Sequence, residues 1–293
     1  MAHDYGIIDL HMHSYVSDGT DTPAELLEKV KAAGIGLFAL TDHDSFDGCD
    51  DICMLLQPGD PAFLTGVEFS CRDEYGKYHV LGYGFDFGSA PIRQVVEKGH
   101  TLRLKKVQTR LDLLAEKYGF RFSDGDLRRL HALKNPGKPH IGNLMVKYGY
   151  AKDKETAIRD FIDKLRVRSE YVRPDEAIAG ILGSGGIPVL AHPAYGSGDQ
   201  LILGDELAQR IRRLKEFGLQ GVEAFYSGFT PKITKEVLSV AEQFGLYATA
   251  GSDYHGANKM VELADTGLDL YDEAPESFLR FLDAAQPRMK RGQ

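Results

Sequence analysis

The chain has 293 residues, 43% hydrophobic and 27% charged, enough for one large core or a core with a small appended domain. Its formal charge of −8 argues against wholesale wrapping of nucleic acid. No run approaches the ~20 apolar residues that span a bilayer, and the first residues lack the basic start and apolar stretch of a secretory signal.

Strands and helices alternate from the start. The first expected strand, residues 6–12, ends in DLHMHS. His11 and His13 are two apart, so both rings leave the same face, and Asp9 shares that face one step deeper, where it could accept a ring N–H. Asp18 follows. Thr22-Pro23-Ala24-Glu25 reads as a capping box with proline at the first helical position. Leu26, Leu27, Val30 and Ala33 keep helical spacing until Gly34 ends the turn. The second strand, 37–42, runs into TDHD and His43, and the third, 62–69, carries Glu68 after Val67. The fourth, 77–85, differs: His79 comes early in it, and no helix separates it from the third, with which it is expected to pair. Cys49, Cys53 and Cys71 form no C-x-x-C pair and read as the reduced thiols of a cytoplasmic protein.

The grammar changes between residues 91 and 172. Leu104, Val107, Leu111, Leu114 and Tyr118 step by three and four, which predicts an amphipathic helix, with further helices near 124–132, 139–149 and 153–164. From Lys98 to Lys138 eleven Lys/Arg face four Asp/Glu, a local +7 that leaves −15 for the rest of the chain. Such a block is either a solvated helix face or a cationic wall beside an anion site.

Alternation then returns. A helix from Pro174 to Gly183 leads to strand 187–192 and His192 in AHP. A helix with Leu207, Ile211, Leu214 and Phe217 stops at Gly218 before strand 221–226, where Glu223 is the least certain polar candidate. A helix with Ile233, Val237, Val240 and Phe244 stops at Gly245 before strand 247–252, which opens into Asp253 and His255. Repeated βα units of this kind predict an α/β fold with a largely parallel sheet. The barrel part is expected over residues 1–90 and 173–293, and 91–172 is expected as an inserted helical domain capping the C-terminal face of the strands.

Chemistry in such barrels collects at the C-terminal strand ends. Eight candidate ligands gather there or just beyond, His11, His13, Asp18, His43, Glu68, His192, Asp253 and His255, and His79, early in the fourth strand, is the ninth. Imidazoles and carboxylates delivered from several strands to one point suit a multinuclear metal hydrolase. Any one H-x-H is more often a core or surface pair than a ligand pair. D-H at the next strand end, a glutamate at the third and D-x-H at the last reverse that balance. Glu68 alone would read as half of a buried ion pair; a carboxylate bridging two cations explains it better.

HxH near the N-terminus, SDGT before a capped helix, TDHD, GVE, AHP and GSDxH, in this order, resemble the polymerase and histidinol phosphatase (PHP) family of metal-dependent phosphoesterases. The resemblance covers the whole chain, helical insertion included. It implies a distorted seven-stranded βα barrel holding two or three divalent ions. One ion would take His11, His13, Glu68 and Asp253; a second Asp18, His43 and His255; a third Glu68, His79 and His192. Asp18 stands where some members place histidine, which makes manganese or iron as plausible as zinc. The implied reaction is attack on phosphorus by a hydroxide bridging two cations, with Asp253 orienting or deprotonating the water. His140 is the candidate proton donor to the leaving group, against a helix-capping reading. Lys138 and Arg168 are the candidate phosphate grips, against plain surface charge. Many members carry arginine two residues beyond AHP; here Ala194-Tyr195 follows Pro193, so a different phosphate grip is expected.

The expected substrate is a small phosphorylated metabolite: a nucleotide, a nucleoside bisphosphate or a ribose phosphate. A cyclic phosphate cleaved at both esters in sequence, histidinol phosphate, and a metal-binding module without turnover are the alternatives. Long nucleic acid and membranes are not expected partners, and the sequence leaves the oligomeric state open.

Overall fold

The computed structural model describes residues 5–167, 170–196, 200–271 and 273–292. The chain forms two compact units, one holding it up to Val96 and from Val172 onward, the other Glu97–Tyr171.

The first unit is built on seven strands: β1 (Ile7–Asp9), β2 (Ile35–Leu40), β3 (Ala62–Asp73), β4 (Gly76–Tyr83), β5 (Ile187–Leu190), β6 (Gly221–Tyr226) and β7 (Tyr247–Gly251). They lie in one sheet in chain order. Neighbours are parallel except at β4, which runs antiparallel to both β3 and β5. The β3–β4 hairpin is the pairing anticipated from the missing helix. Backbone bonds just past β1 and β7 tie the two edge strands together: Leu10 N to Ala250 O (2.9 Å), Asp253 N to His11 O (2.7 Å) and His13 N to Tyr254 O (2.8 Å). The α/β barrel architecture is therefore the one expected, distorted by the antiparallel strand.

Around the sheet run α1 (Pro23–Ala32), α2 (Asp47–Leu55) and the start of α3 (Ala90–Tyr118). The capping box on α1 forms as read: Thr22 Oγ1 accepts from Glu25 N and the Glu25 carboxylate accepts from Thr22 N. Leu26, Leu27 and Val30 are buried beneath it. The strands are apolar on both faces because helices cover one side and packed side chains fill the other; Phe38, Phe63, Phe69, Val80, Leu81, Val189 and Phe225 are all fully buried.

The second unit carries the rest of α3, then α4 (Asp124–His131), α5 (Lys138–Lys147) and α6 (Lys154–Thr156). Residues 153–164 are not the continuous α-helix expected from spacing. After α6 the backbone widens into a π turn at Ala157–Phe161 and tightens to 3₁₀ at Ile162–Lys164. This unit has its own core of Val107, Leu111, Leu114, Leu130, Ile141, Leu144, Met145, Ala157 and Ile162. Back in the first unit the chain adds α7 (Pro174–Gly183), α8 (Gly204–Glu216), α9 (Pro231–Phe244) and α10 (Glu276–Ala285).

Candidate metal centre

Most candidate ligands sit just past the strands, where regular pairing stops, while Glu68 and His79 project from within the paired β3–β4 hairpin. Past β1, His11 and His13 are fully buried, with Nε2 atoms 3.2 Å apart. Glu68 leaves β3 between them and their neighbours. Its Oε2 lies 3.3 Å from His11 Nε2, 3.1 Å from His13 Nε2 and 3.1 Å from His43 Nδ1. Its Oε1 lies 2.8 Å from His79 Nδ1 and 3.3 Å from His192 Nε2. Asp253 Oδ1 closes one side at 3.5, 3.3 and 3.4 Å from His11, His13 and His255. Asp18 closes another, with Oδ1 3.2 Å from His255 Nε2 and Oδ2 3.9 Å from His43 Nε2. All nine residues thus meet in one continuous cluster.

Three overlapping groups bring donor atoms within 4.8 Å of one another: His13, Asp18, His43 and His255; His11, His13 and Asp253; and His43, Glu68 and His79. The first adds His13 to one of the sets implied by resemblance, and the third has His43 where that reading has His192. Ligand atoms held about 2.0–2.2 Å from one ion stand about 3–3.5 Å apart, the separation seen here.

The donor chemistry fits cations. Asp18 Oδ1, Glu68 Oε2 and His79 Nδ1 are buried with no well-formed hydrogen bond among the described residues. Buried polar atoms of this kind are costly unless something else satisfies them. Burial would push the Glu68 carboxyl up, but His43, His79 and His11 around it hold it well below the usual range. Asp253 is likewise lowered, against its burial, by His11 and His13. Burial would depress His13, yet its contacts with Asp253 and Glu68 raise it to about 10. His43 goes the other way, to about 4, because burial dominates.

A second layer fixes the rings. Glu223, fully buried on β6, accepts the Nδ1–H of His11 at 2.8 Å and the backbone N–H of His192 at 2.7 Å. The first bond sets the His11 tautomer, leaving Nε2 to face His13, Glu68 and Asp253. The second holds His192 at φ +27°, and Asp253 is similarly left-handed at +60°. Non-glycine residues with such backbones concentrate at functional sites. The ring-orienting role offered to Asp9 belongs to Glu223 instead. Asp9 accepts backbone N–H groups from His11, Ser252 and Ala264, at 3.2, 3.0 and 2.8 Å, and so braces the β1 and β7 exits. Asp42 does the same for the first loop, accepting from Ser14 N, Ser14 Oγ and Ser17 Oγ at 2.8, 2.7 and 2.6 Å.

Two residues next to Asp253 escaped the sequence reading. Tyr226 donates its hydroxyl to Asp253 Oδ2 at 3.0 Å, and the Lys259 ammonium contacts the same oxygen. Tyr226 could have been suspected from its place at the end of β6; Lys259, in a turn after His255, carries no local signal. Lys138 and His140 belong to the helical unit. Lys138 Nζ pairs with Asp163 at 2.5 Å, and His140 Nδ1 accepts the Gly137 N–H at 3.1 Å, the capping contact weighed for it. Arg168 lies outside the described residues.

With this geometry in place, comparison with known proteins identifies the class. The PHP domain profile matches residues 9–168. The chain belongs to the PHP family and is a metal-dependent hydrolase of phosphoric esters. It is 29% identical over 85% of its length to a 3′,5′-nucleoside bisphosphate phosphatase of Chromobacterium violaceum, covering 87% of that protein. A 5′-3′ exoribonuclease of Haemophilus influenzae is 28% identical over 90% of this chain and 95% of its own length. A phosphoribosyl 1,2-cyclic phosphate 1,2-diphosphodiesterase of Eggerthella lenta is 30% identical over 85% of this chain and 94% of its own length. Among solved structures, one described as an amidohydrolase from Chromobacterium violaceum with bound sulfate and no metal superposes with a TM-score of 0.77. It is 26% identical, with 98% of each chain covered.

Proposed function

We propose that this enzyme removes phosphate from a small nucleotide-type monoester, a nucleoside monophosphate or bisphosphate, with two or three manganese, iron or zinc ions. The observation that carries the reading is Glu68, whose two carboxylate oxygens face two different sets of imidazoles at 2.8–3.3 Å. One carboxylate shared between ligand sets is the arrangement a multi-ion centre needs.

When bound, such ions supply Lewis acidity toward the phosphoryl oxygens and make water a nucleophile near neutral pH. The residues of the chain do the rest. Glu223 and Asp9 keep the ligands from relaxing away from one another. Asp253, shared among three imidazoles and oriented by Tyr226, is placed to hold the attacking water and take its proton. Lys138 and Arg168 are the proposed grips for a phosphate distal to the scissile one, and His140 the proposed donor of a proton to the departing alkoxide.

One relative is named a 3′,5′-nucleoside bisphosphate phosphatase, and another, named a 5′-3′ exoribonuclease, gives a second reading specific support: stepwise removal of nucleotides from a short RNA 5′ end. The net charge of −8 favours the smaller substrate. The three cysteines are free thiols, in keeping with the cytoplasm as the proposed location. A screen of manganese-loaded protein against mononucleotides, 3′,5′-bisphosphates, cyclic phosphates, histidinol phosphate and 5′-phosphorylated oligoribonucleotides tests the proposal. Phosphate release from a mono- or bisphosphate with the highest kcat/KM is expected. Preference for the oligonucleotide or the cyclic ester would overturn the substrate assignment, and inertness across the panel would overturn turnover itself.

A further inference from the structure

We infer that the barrel unit carries a second anion site, remote in chemistry from the metal centre, built by α8 and the β3–β4 hairpin and fitted to a single phosphate group. Side chains alternate along β4, so Tyr78 leaves the face opposite to His79 and its cluster. There it is buried beneath α8, with the Arg210 guanidinium 4.4 Å and the Arg213 guanidinium 5.4 Å from its ring centre. Arg213 also lies 3.9 Å over Tyr75, an exposed ring at the hairpin tip. A cleft of about 170 Å³ opens between these groups.

Stacking occupies the faces of the two guanidinium planes and leaves their edges as hydrogen-bond donors. Those edges are under-used. Arg210 Nε and Arg213 Nε and Nη2 are buried and make no hydrogen bond among the described residues. Arg210 donates through Nη2 to Lys77 O at 2.7 Å, yet no carboxylate stands within ion-pair distance of it among those residues, although it is only 8% exposed. Arg213 has one partial counter-charge, Asp73 Oδ2 at 3.3 Å from Nη2. The other oxygen of Asp73 is committed to the hairpin turn through Tyr75 N and Gly76 N. Glu206, one helical turn before Arg210, is exposed at the rim and accepts from Gln200. Asp73 and Glu206 oppose the Arg210 charge only through space, neither within ion-pair distance of it. Burial pulls Arg210 down to about 10, which still leaves it charged at neutral pH.

Two adjacent guanidinium groups against one carboxylate within ion-pair distance among the described residues leave one positive charge over, and their unused Nε edges call for a small oxyanion that accepts from both. A tetrahedral phosphate presents acceptor oxygens to both guanidinium edges at once, whereas a carboxylate offers a single planar pair. The cleft is smaller than the ~300–1,000 Å³ of pockets that take drug-sized ligands, which limits the occupant to inorganic phosphate or the phosphate end of a monoester. The site does not depend on the proposed substrate, and no residue in it belongs to the metal centre.

The test is equilibrium dialysis of radiolabelled inorganic phosphate against the full chain after chelator treatment, which removes phosphate binding at bound metal. One site per chain is expected, with at least tenfold weaker binding in Arg213→Gln and a few-fold weakening in Tyr75→Ala, which removes only an exposed ring. Acetate at equal concentration should not displace phosphate. Tighter binding of a nucleoside monophosphate than of phosphate would identify a phosphoester as the occupant, and the reverse would identify free phosphate. Absence of binding in the stripped wild-type chain, or unchanged binding in folded Arg213→Gln, would overturn the site. If Arg213→Gln fails to fold, wild-type affinity in Tyr75→Ala would do so.

Discussion

Replacing Glu223 should damage the metal centre without removing any ligand. In Glu223→Ala two buried donors lose their acceptor at once, the His11 Nδ1–H at 2.8 Å and the His192 N–H at 2.7 Å. An unsatisfied buried donor costs about 1–3 kcal/mol, so the metal-free chain should lose about 2–6 kcal/mol of stability. His192 also loses what holds it at φ +27°. Freed to rotate or change tautomer, His11 would no longer aim Nε2 at Glu68 and Asp253, and metal affinity should fall about 10- to 100-fold. Glu223→Gln keeps a carbonyl for one donor and should fall between wild type and alanine. Chelator-competition titration of manganese, with thermal unfolding in parallel, reads both effects. If Glu223→Ala unfolds early but binds manganese with wild-type affinity, Glu223 merely fills space and the tautomer argument is wrong.

Other outcomes follow from the same geometry. Glu68→Gln should lower metal stoichiometry by at least one ion per chain and reduce kcat by about 10²–10³, since a neutral amide cannot serve both imidazole sets; elemental analysis and turnover check this, and full stoichiometry would refute a bridging role. In the stripped protein His13 is raised to about 10, so it is protonated at pH 7 and must lose that proton to bind a cation. Manganese titration should therefore release protons, seen as calorimetric heats that change with buffer ionisation enthalpy. The same raised value means that the ring's contribution to metal-free stability is full below ~6.5 and disappears as pH rises through about 10. Gly251→Ala would place a methyl 2.2 Å from His11 Cβ and 2.6 Å from Glu223 Oε1. A loss of about 1–3 kcal/mol in stability, with weaker metal binding, is expected by denaturant titration and metal competition.

Much of this was legible because most candidate ligands sit at or just past strand ends, where a short apolar run announces its own terminus; Glu68 and His79 lie within β3 and β4. The seven strands, the antiparallel β4 and the glycine-ended helices all declare themselves locally. What escaped depends on contacts distant in the chain. Glu223 reaches His11 across 212 residues of sequence, so nothing near either predicts the pairing. Asp9, two residues from His11, looked the better partner and instead holds backbone. α10 has Phe278, Phe281, Leu282 and Ala285 buried at helical spacing but precedes no strand among the described residues, so it falls outside the repeating unit that guided the reading. The π turn at Ala157–Phe161, whose Ala157, Ile158 and Phe161 pack in the helical core, has no signal in the spacing of the sequence.

Anomalous diffraction from crystals of the manganese-loaded protein addresses the central claim most directly. Two or three peaks are predicted about 2.0–2.2 Å from donor atoms of His11, His13, Asp18, His43, Glu68, His79, His192, Asp253 and His255, with Glu68 touching more than one. A single peak, or peaks away from Glu68, would contradict a shared multi-ion centre.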